Sequence, residues 1–109
     1  MQVRIWISFD LGVKGDYPGM YAWLDNHQAV ECGDNFAFLY IECTSRNTVD
    51  EDLMAELNEN VKLAPTDRIY VIYRREDNMT KGTFLNGRRK ANPWEGYGYR
   101  GEETEESDE

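Results

Sequence analysis

The first apolar stretch of the chain, residues 3–9, alternates between hydrophobic and other positions with the period of a β-strand. The positions on one face are Val3, Ile5, Ile7 and Phe9, and those on the other face are Arg4, Trp6 and Ser8. This alternation predicts a first strand with one buried face.

A helix is predicted after the loop that follows this strand. Its hydrophobic positions, spaced three and four residues apart as on one face of a helix, are Tyr17, Met20, Tyr21 and Leu24. Pro18 falls in the first turn, where its missing N–H costs no hydrogen bond, and we expect the helix to end near Asn26 or His27.

A second helix is predicted from residue 48 onwards. Thr48, followed three residues later by Glu51, has the spacing of a capping box. The apolar stripe behind it consists of Leu53, Met54, Leu57 and Val61. The acidic positions that this stripe leaves in water are Asp50, Glu51, Asp52, Glu56 and Glu59. The second helix is therefore predicted to be acidic on its exposed side.

Three further strands complete the predicted fold. Residues 29–32 and 36–43 are apolar stretches separated by the turn-forming sequence GDN, and together they predict a β-hairpin. Residues 68–74 are dense in β-branched and aromatic side chains, which favours a fourth strand. This element order predicts an α+β fold, a ferredoxin-like βαββαβ sandwich in which an antiparallel sheet of four strands carries both helices on one face.

The opposite face of the predicted sheet has no helix to cover it. Trp6 and alternate aromatic residues such as Phe38 or Tyr70 are expected there. A small protein seldom exposes such a surface unless something covers it. The expected cover is a dimer partner or the C-terminal segment.

The C-terminal third is predicted to extend this domain. Asn86 and Gly87, between TFL and RRK, have the sequence of a type I′ turn, which favours a fifth strand and a return. Residues 92–101 mix proline, glycine and aromatic residues and are expected to pack as an extended arm. The predicted organisation is one domain over residues 1–101 that includes a C-terminal extension at 75–101, followed by a disordered acidic tail at 102–109.

Length and charge restrict the functional classes. A chain of 109 residues forms one domain, and its net charge of −9 is unevenly spread. The first 73 residues carry −7, residues 74–101 carry +4, and the last eight residues carry −6. An acidic chain argues against a general duplex-DNA binder, whereas the basic C-terminal third leaves a local nucleic-acid surface open. The sequence contains no run near the roughly 20 apolar residues that cross a bilayer and no signal-type N-terminus, so a cytoplasmic location is expected.

The two cysteines agree with a reducing compartment. The predicted hairpin separates Cys32 from Cys43, so we expect no disulfide bond and predict that both thiols are small core residues. Because His27 is the only histidine, a zinc site of the His/Cys type is not expected.

The end of the first strand, ISFDL, and the loop GVKGDYPGMYAWL resemble a group of small ferredoxin-like proteins. This group includes CRISPR-associated adaptation proteins, VapD-type toxin ribonucleases and SinR-like relatives, and the resemblance covers roughly residues 3–74. It implies a homodimer formed by pairing of the sheets, commonly with a crossing C-terminal strand such as TFLNGRRK. It also implies that Asp10 matches an aspartate associated with a divalent metal at the dimer interface.

Asp10 is the principal candidate for catalysis and metal binding. Two copies on a two-fold axis would hold Mg²⁺ together with waters and substrate phosphates. Alternatively, Asp10 accepts hydrogen bonds from loop N–H groups, as in an Asx turn. Asp16 either assists it or caps the first helix. His27 is a candidate general base, or else a cation beside the C-terminal end of that helix.

One cluster of basic and aromatic residues stands out in the C-terminal third. Its members are Arg74, Arg75, Lys81, Arg88, Arg89 and Lys90, together with Trp94, Tyr97 and Tyr99. Arginine and aromatic side chains together suit single-stranded nucleic acid, because bases stack on rings and phosphates pair with guanidinium groups. The alternative is a solvated hairpin that is neutralised by the acidic tail or the acidic second helix.

Three functional hypotheses follow. The excess of 21 acidic over 12 basic residues favours a non-enzymatic interaction or regulatory protein, of toxin–antitoxin, phage or defence type, which presents acidic helices to a basic protein partner. The family resemblance favours a metal-dependent endoribonuclease of toxin type that uses Asp10. The third hypothesis is binding of single-stranded nucleic acid such as RNA through residues 74–100.

Overall fold

The computed structural model describes residues 1–98. Tyr99 and the predicted acidic tail at 102–109 lie outside the described residues. The elements are β1 Gln2–Asp10, α1 Tyr17–Asn26, β2 Val30–Gly33, β3 Phe36–Glu42, α2 Val49–Asn60, β4 Arg68–Arg74 and β5 Thr80–Asn86. The predicted α+β class is confirmed, and the antiparallel sheet of the described chain has five strands, the fifth of which lies in the C-terminal third where the sequence favours one.

Strand β1 lies at the centre of the sheet, whose order is β2-β3-β1-β4-β5 with every neighbouring pair antiparallel. Trp6 of β1 lies opposite Phe38 of β3 on one side and opposite Ile72 of β4 on the other. Tyr70 of β4 lies opposite Phe84 of β5. The register therefore aligns alternate residues of four strands on one face.

The core lies between the other sheet face and the two helices. The predicted inward face of β1 is confirmed, because Val3, Ile5 and Ile7 are fully buried and Phe9 is nearly so. The remaining strands and the helices contribute Leu39, Ile41, Ile69, Val71, Met20, Trp23, Leu53 and Leu57. Aliphatic side chains removed from water in this way supply most of the folding free energy.

Helix α1 has the predicted bounds but is rotated relative to the predicted stripe. Its fully buried residues are Met20 and Trp23, whereas Tyr21 is 54% exposed. Successive helical residues differ by about 100° around the axis, so Tyr21 lies about 130° from the centre of a buried face between Met20 and Trp23, on the side towards solvent. The indole of Trp23 thereby enters the space between α1 and α2, where its N–H donates to Glu56.

Helix α2 follows Thr48, as predicted, but without the predicted capping box. The Thr48 hydroxyl instead lies 2.8 Å from Oδ2 of Asp52, which also accepts a hydrogen bond from the backbone N–H of Thr44. Both hydrogen bonds lower the pKa of Asp52, and the bond from Thr44 makes the larger contribution to this shift.

The acidic side of α2 is less exposed than predicted. Asp50 accepts hydrogen bonds from Tyr73 and Lys81, and Glu56 accepts one from Trp23. Of the five predicted solvent-facing acids, Glu51 and Glu59 are exposed and the other three are half-buried. Neighbouring strands and helices supply partners that the helical periodicity does not show.

The hairpin in the C-terminal third is displaced from its predicted position. The turn joins β4 to β5, where the N–H of Arg75 donates to the carbonyl of Met79 and Asn78 adopts a φ of 69°. Gly87 instead ends β5 with a φ of 75°, and residues 88–98 contain no strand, so the predicted return is wrong. Trp94 and Tyr97 of the predicted arm are 68% and 87% exposed in the single chain, so the packing of the arm stays a prediction.

The two cysteines are both free thiols, but they differ in environment. Cys43 is a core residue as predicted, and burial raises its pKa to about 11, with a further contribution from the nearby charge of Asp52. Cys32 is exposed because β2 is a short edge strand, so its predicted place in the core is wrong. Within residues 1–98, no helix has the length and apolar content needed to span a membrane.

Candidate functional site

The sheet face opposite the helices, here called the open face, carries a row of large side chains. Strand alternation places them there, since their neighbours along each strand point into the core. These side chains are Trp6, Phe38, Tyr40, Tyr70, Ile72 and Phe84. In the described chain Tyr40 is exposed and the other five are half-buried.

Arginine side chains lie over these rings at both ends of the row. The guanidinium carbon of Arg4 lies 5.8 Å from the centre of the Trp6 ring, 5.7 Å from Phe38 and 5.3 Å from Tyr40. Its Nε–H also donates to the Tyr40 hydroxyl at 3.0 Å. We call these four residues the Arg4 cluster. Cation–π attraction and this hydrogen bond hold the guanidinium close to the three rings.

A second group lies on β4, β5 and the segment that follows. The guanidinium carbon of Arg89 lies 5.9 Å from the centre of the Tyr70 ring and 5.4 Å from that of Phe84. Arg68 lies over the same Phe84 ring at 5.5 Å, and its Nε–H donates to the backbone carbonyl of Arg88. The Tyr70 and Phe84 rings meet edge to face, with centres 4.8 Å apart. We call Arg68, Tyr70, Phe84 and Arg89 the Arg89 cluster.

Each cluster borders a shallow hollow on the open face. The hollow beside the Arg4 cluster has a volume of about 430 Å³ and is also lined by Arg46 and Arg74. The hollow beside the Arg89 cluster has a volume of about 300 Å³ and is also lined by Ser8 and Asp10. Five of the eight arginines in the chain thus line the same side of the sheet.

The helical layer has the opposite charge. Helices α1 and α2 together contain six acidic residues and no basic residue. Six of the 21 acidic residues of the chain thus lie in the helical layer. This separation gives the small domain a positive sheet surface and a negative helical surface.

Asp10 ends β1 at the rim of the second hollow. Its Oδ1 accepts a hydrogen bond from the N–H of Gly12 at 3.1 Å, which is the Asx-turn contact that the sequence offers as the alternative to metal binding. Oδ2 lies 3.9 Å from a guanidinium nitrogen of Arg68. Among residues 1–98 there is no group of three or more acidic, histidine or cysteine side chains placed to hold a metal. The Mg²⁺ site on paired Asp10 residues stays a prediction.

His27 lies on the other side of the sheet from Asp10. It ends α1, with Nδ1 at 2.9 Å from the Trp23 carbonyl oxygen and Nε2 at 2.6 Å from Oε1 of Glu56. Its ring packs against that of Trp23, with centres 4.7 Å apart. His27 thus has the position at the C-terminal end of α1 that was predicted as the alternative to a role as general base. The structure does not bring the two candidate catalytic residues, Asp10 and His27, together.

The predicted basic and aromatic cluster is divided by the fold. Arg74 and Arg89 line the open face. Arg75 pairs with Asp77 inside the β4–β5 turn, an ion pair that raises the pKa of the guanidinium. Lys81 binds Asp50 at 2.9 Å on the helical side. The other described members, Arg88, Lys90, Trp94 and Tyr97, are exposed in the segment after β5, and Tyr99 lies outside the described residues.

Several residues of the open face carried no functional prediction. These are Arg4, Arg46, Arg68, Tyr40 and Phe84, of which three lie in the first 46 residues. A usable signal was present in β1 and β4, where arginine and aromatic residues occupy alternate positions of RIWIS and RIYVIYR. That alternation shows a shared face, but only the sheet order shows that the faces of four strands are continuous.

Comparison with protein-family models, with curated proteins and with solved structures gives no match for this chain. The resemblance to CRISPR-associated adaptation proteins and VapD-type ribonucleases therefore stays a prediction. The proposed function therefore rests on the geometry of the chain itself.

Proposed function

We propose that the protein binds single-stranded nucleic acid on the open face of its sheet. The observation that carries the proposal is the row of aromatic side chains flanked by arginines, from the Arg4 cluster on β1 and β3 to the Arg89 cluster on β4 and β5. Bases would stack on exposed ring faces while guanidinium groups pair with phosphates. The sequence predicts the same kind of ligand for residues 74–100, but the surface proposed here is formed mainly by the strands of the sheet.

The dimensions of the row suit a short single strand. Neighbouring strands are about 4.8 Å apart, so the row from β3 to β5 spans roughly 14 Å. Sheets that bind RNA in this manner stack about two or three bases. A duplex has no unstacked bases to offer to the rings, so it would gain only the electrostatic part of the interaction.

The net charge of −9 is compatible with a polyanionic ligand because of where the charges lie. The six acids of the helices are on the opposite side of the sheet, and among residues 1–98 Asp10 is the only acid that lines either hollow. Local potential rather than total charge determines whether a phosphate is attracted to a given face. Three to five phosphate contacts would give a slope of log K against log salt between about −2 and −3.5.

This proposal includes a ferredoxin-like core formed by the elements from β1 to β4, to which β5 is added at one edge. Supporting it is the order strand, helix, strand, strand, helix, strand over residues 2–74. A homodimer formed through the open face would compete with nucleic acid for the same rings. The predicted homodimer is thus an alternative occupant of this surface, and the experiment has to distinguish the two.

Fluorescence anisotropy with a labelled eight-nucleotide RNA of mixed sequence tests the proposal. Trp6→Ala is expected to weaken binding by about tenfold, since the loss of one stacking ring costs about 1–3 kcal/mol. Tyr21→Ala removes an exposed ring from helix α1 and is the matched control, with an expected change below about twofold. Trp6→Phe retains a flat ring and is expected to recover most of the affinity.

A second pair of variants tests the charge. Arg4→Gln is expected to weaken binding and to lower the salt slope by about 0.7, whereas Lys62→Gln, after helix α2, is expected to do neither. Light scattering on the same samples reports the oligomeric state. A dimer that Trp6→Ala converts to a monomer, with no RNA binding by the parent protein, would overturn the proposal. Equal effects of Trp6→Ala and Tyr21→Ala would overturn it as well.

A further inference from the structure

The hollow beside the Arg89 cluster has the components of a pocket for a single base. Its floor is formed by the Tyr70 and Phe84 rings, and the guanidinium groups of Arg68 and Arg89 lie over them. Ser8 and Asp10 of β1 complete the lining, and the volume is about 300 Å³. A planar, π-stacking ligand fits a site whose walls are themselves planar cations and rings.

Arg89 is the one lining residue of this pocket that lies outside the described strands. It is exposed and lies in the segment after β5, beyond the positive φ of Gly87, where the described chain forms neither helix nor strand. Its guanidinium lies over the two rings at the place where a base would stack. An incoming base can take that place while the guanidinium moves to the outer face of the base, which leaves the base between a ring and a cation.

Asp10 is the exception in this otherwise cationic hollow. A carboxylate weakens the attraction of the surface for phosphates, so it does not contribute to general binding of a polyanion. An ionised carboxylate has only acceptor atoms, and it therefore pairs with N–H groups. One oxygen of Asp10 is bound to Gly12, while the other lies 3.9 Å from Arg68, beyond hydrogen-bonding distance. The side chain is 56% exposed and borders the pocket.

We propose that this pocket recognises guanine, with the base stacked on the face of one of the two rings, Tyr70 or Phe84, and its N1–H and 2-amino groups donating to the Asp10 carboxylate. Guanine presents two adjacent N–H donors on its Watson–Crick edge. Adenine and cytosine present one amine beside an unprotonated ring nitrogen, which repels a carboxylate, and uracil presents one N–H between two carbonyl groups. This inference rests on the proposed function and adds base specificity to it.

Four labelled RNAs test the inference by anisotropy, each eight nucleotides long and composed of uridine apart from one central position. That position is uridine, adenosine, guanosine or inosine, which lacks the 2-amino group but keeps N1–H. The parent protein is expected to bind the guanosine RNA about tenfold more tightly than the all-uridine RNA, as is typical of a paired donor contact. Inosine is expected to lose most of that advantage.

Asp10→Asn replaces one acceptor oxygen with an amide and is expected to reduce the ratio of guanosine to uridine affinities to below about twofold. Asp34→Asn, in the exposed β2–β3 turn, is the matched control and is expected to keep the parent ratio. The inosine measurement needs no variant, so the test stands even where Asp10→Asn folds poorly.

The outcomes separate the inference from the proposal on which it rests. Equal affinity of the parent protein for all four RNAs overturns guanine recognition and leaves single-strand binding intact. Equal affinity for guanosine and inosine RNAs overturns the two-donor contact, as does a parent ratio retained by Asp10→Asn. Absence of binding to any RNA overturns the proposed function and the inference with it.

Discussion

Glu56 connects the two helices through a contact that combines a buried donor with an ion pair. Its Oε1 accepts the indole N–H of Trp23 at 2.8 Å and lies 2.6 Å from Nε2 of His27. Trp23 is 2% exposed, so its N–H depends on Glu56 rather than on water for an acceptor in the folded protein. The prediction concerns Glu56→Ala, which leaves this donor without its acceptor.

The expected loss has two parts. A buried donor without a partner costs about 1–3 kcal/mol, and a partly exposed ion pair contributes at most about 1 kcal/mol. Glu56→Ala should therefore lower the free energy of unfolding by about 2–3 kcal/mol. Glu56→Gln keeps an acceptor for the indole and loses only the charge, so its cost should be at most about 1 kcal/mol.

Urea unfolding at neutral pH, followed by far-UV circular dichroism, measures these differences from the midpoint and slope. Glu59→Ala, on the exposed side of the same helix, controls for helix propensity and surface charge and should stay within about 0.5 kcal/mol. Equal stabilities of Glu56→Ala and Glu59→Ala would refute the reasoning. If Glu56→Gln were as damaging as Glu56→Ala, the ion pair rather than the indole bond would be the principal contribution.

Three further predictions concern other contacts. The pKa of Asp16 is lowered from 3.8, chiefly by a hydrogen bond from the backbone N–H of Lys62 and then by one from the α1 backbone. The ionised carboxylate therefore stabilises the folded protein above pH 3.8, and this stabilisation is lost as the pH falls through the lowered pKa. Asp16→Asn should therefore flatten the decline in unfolding free energy below about pH 4, as measured by urea unfolding at several pH values. A thiol reagent at about pH 8 should modify only Cys32 in the folded protein, because burial raises the pKa of Cys43 to about 11. In urea the reagent should modify Cys43 as well. Rapid modification of both thiols in the folded protein would contradict this prediction. Gly87→Ala should cost at least about 2 kcal/mol in the same unfolding assay, since φ is 75° and the added Cβ would overlap a backbone carbonyl, and an unchanged midpoint would exclude this strain.

Much of the secondary structure was predictable because it depends on local periodicity. Strand β4 spans residues 68–74, and helix α1 spans residues 17–26, as the sequence indicates. The rotation of α1 was not predictable, because Tyr21 and Trp23 are both large and apolar and only the shape of the surface beneath selects one of them. The β4–β5 turn was missed because Asn78 was not recognised as the positive-φ residue of the turn.

The candidate site was predictable only in part. Sequence alternation correctly placed Trp6, Phe38 and Tyr70 on the open face. It did not associate them with Arg4, and it grouped Lys81 with the nucleic-acid residues although Lys81 binds Asp50 on the helical side. Adjacent residues of a strand point to opposite faces, so a basic cluster in sequence is divided when it becomes a strand.

The sequence by itself determined the buried face of β1 and most of the helix and strand bounds, because these follow from a hydrophobic periodicity that extends over a few residues. Only the tertiary structure decided that β1, β3, β4 and β5 form one continuous face and that arginines from positions 4, 46, 68, 74 and 89 converge on it. Strand order and register are set by long-range pairing, and a surface assembled from distant segments exists only after that pairing has formed.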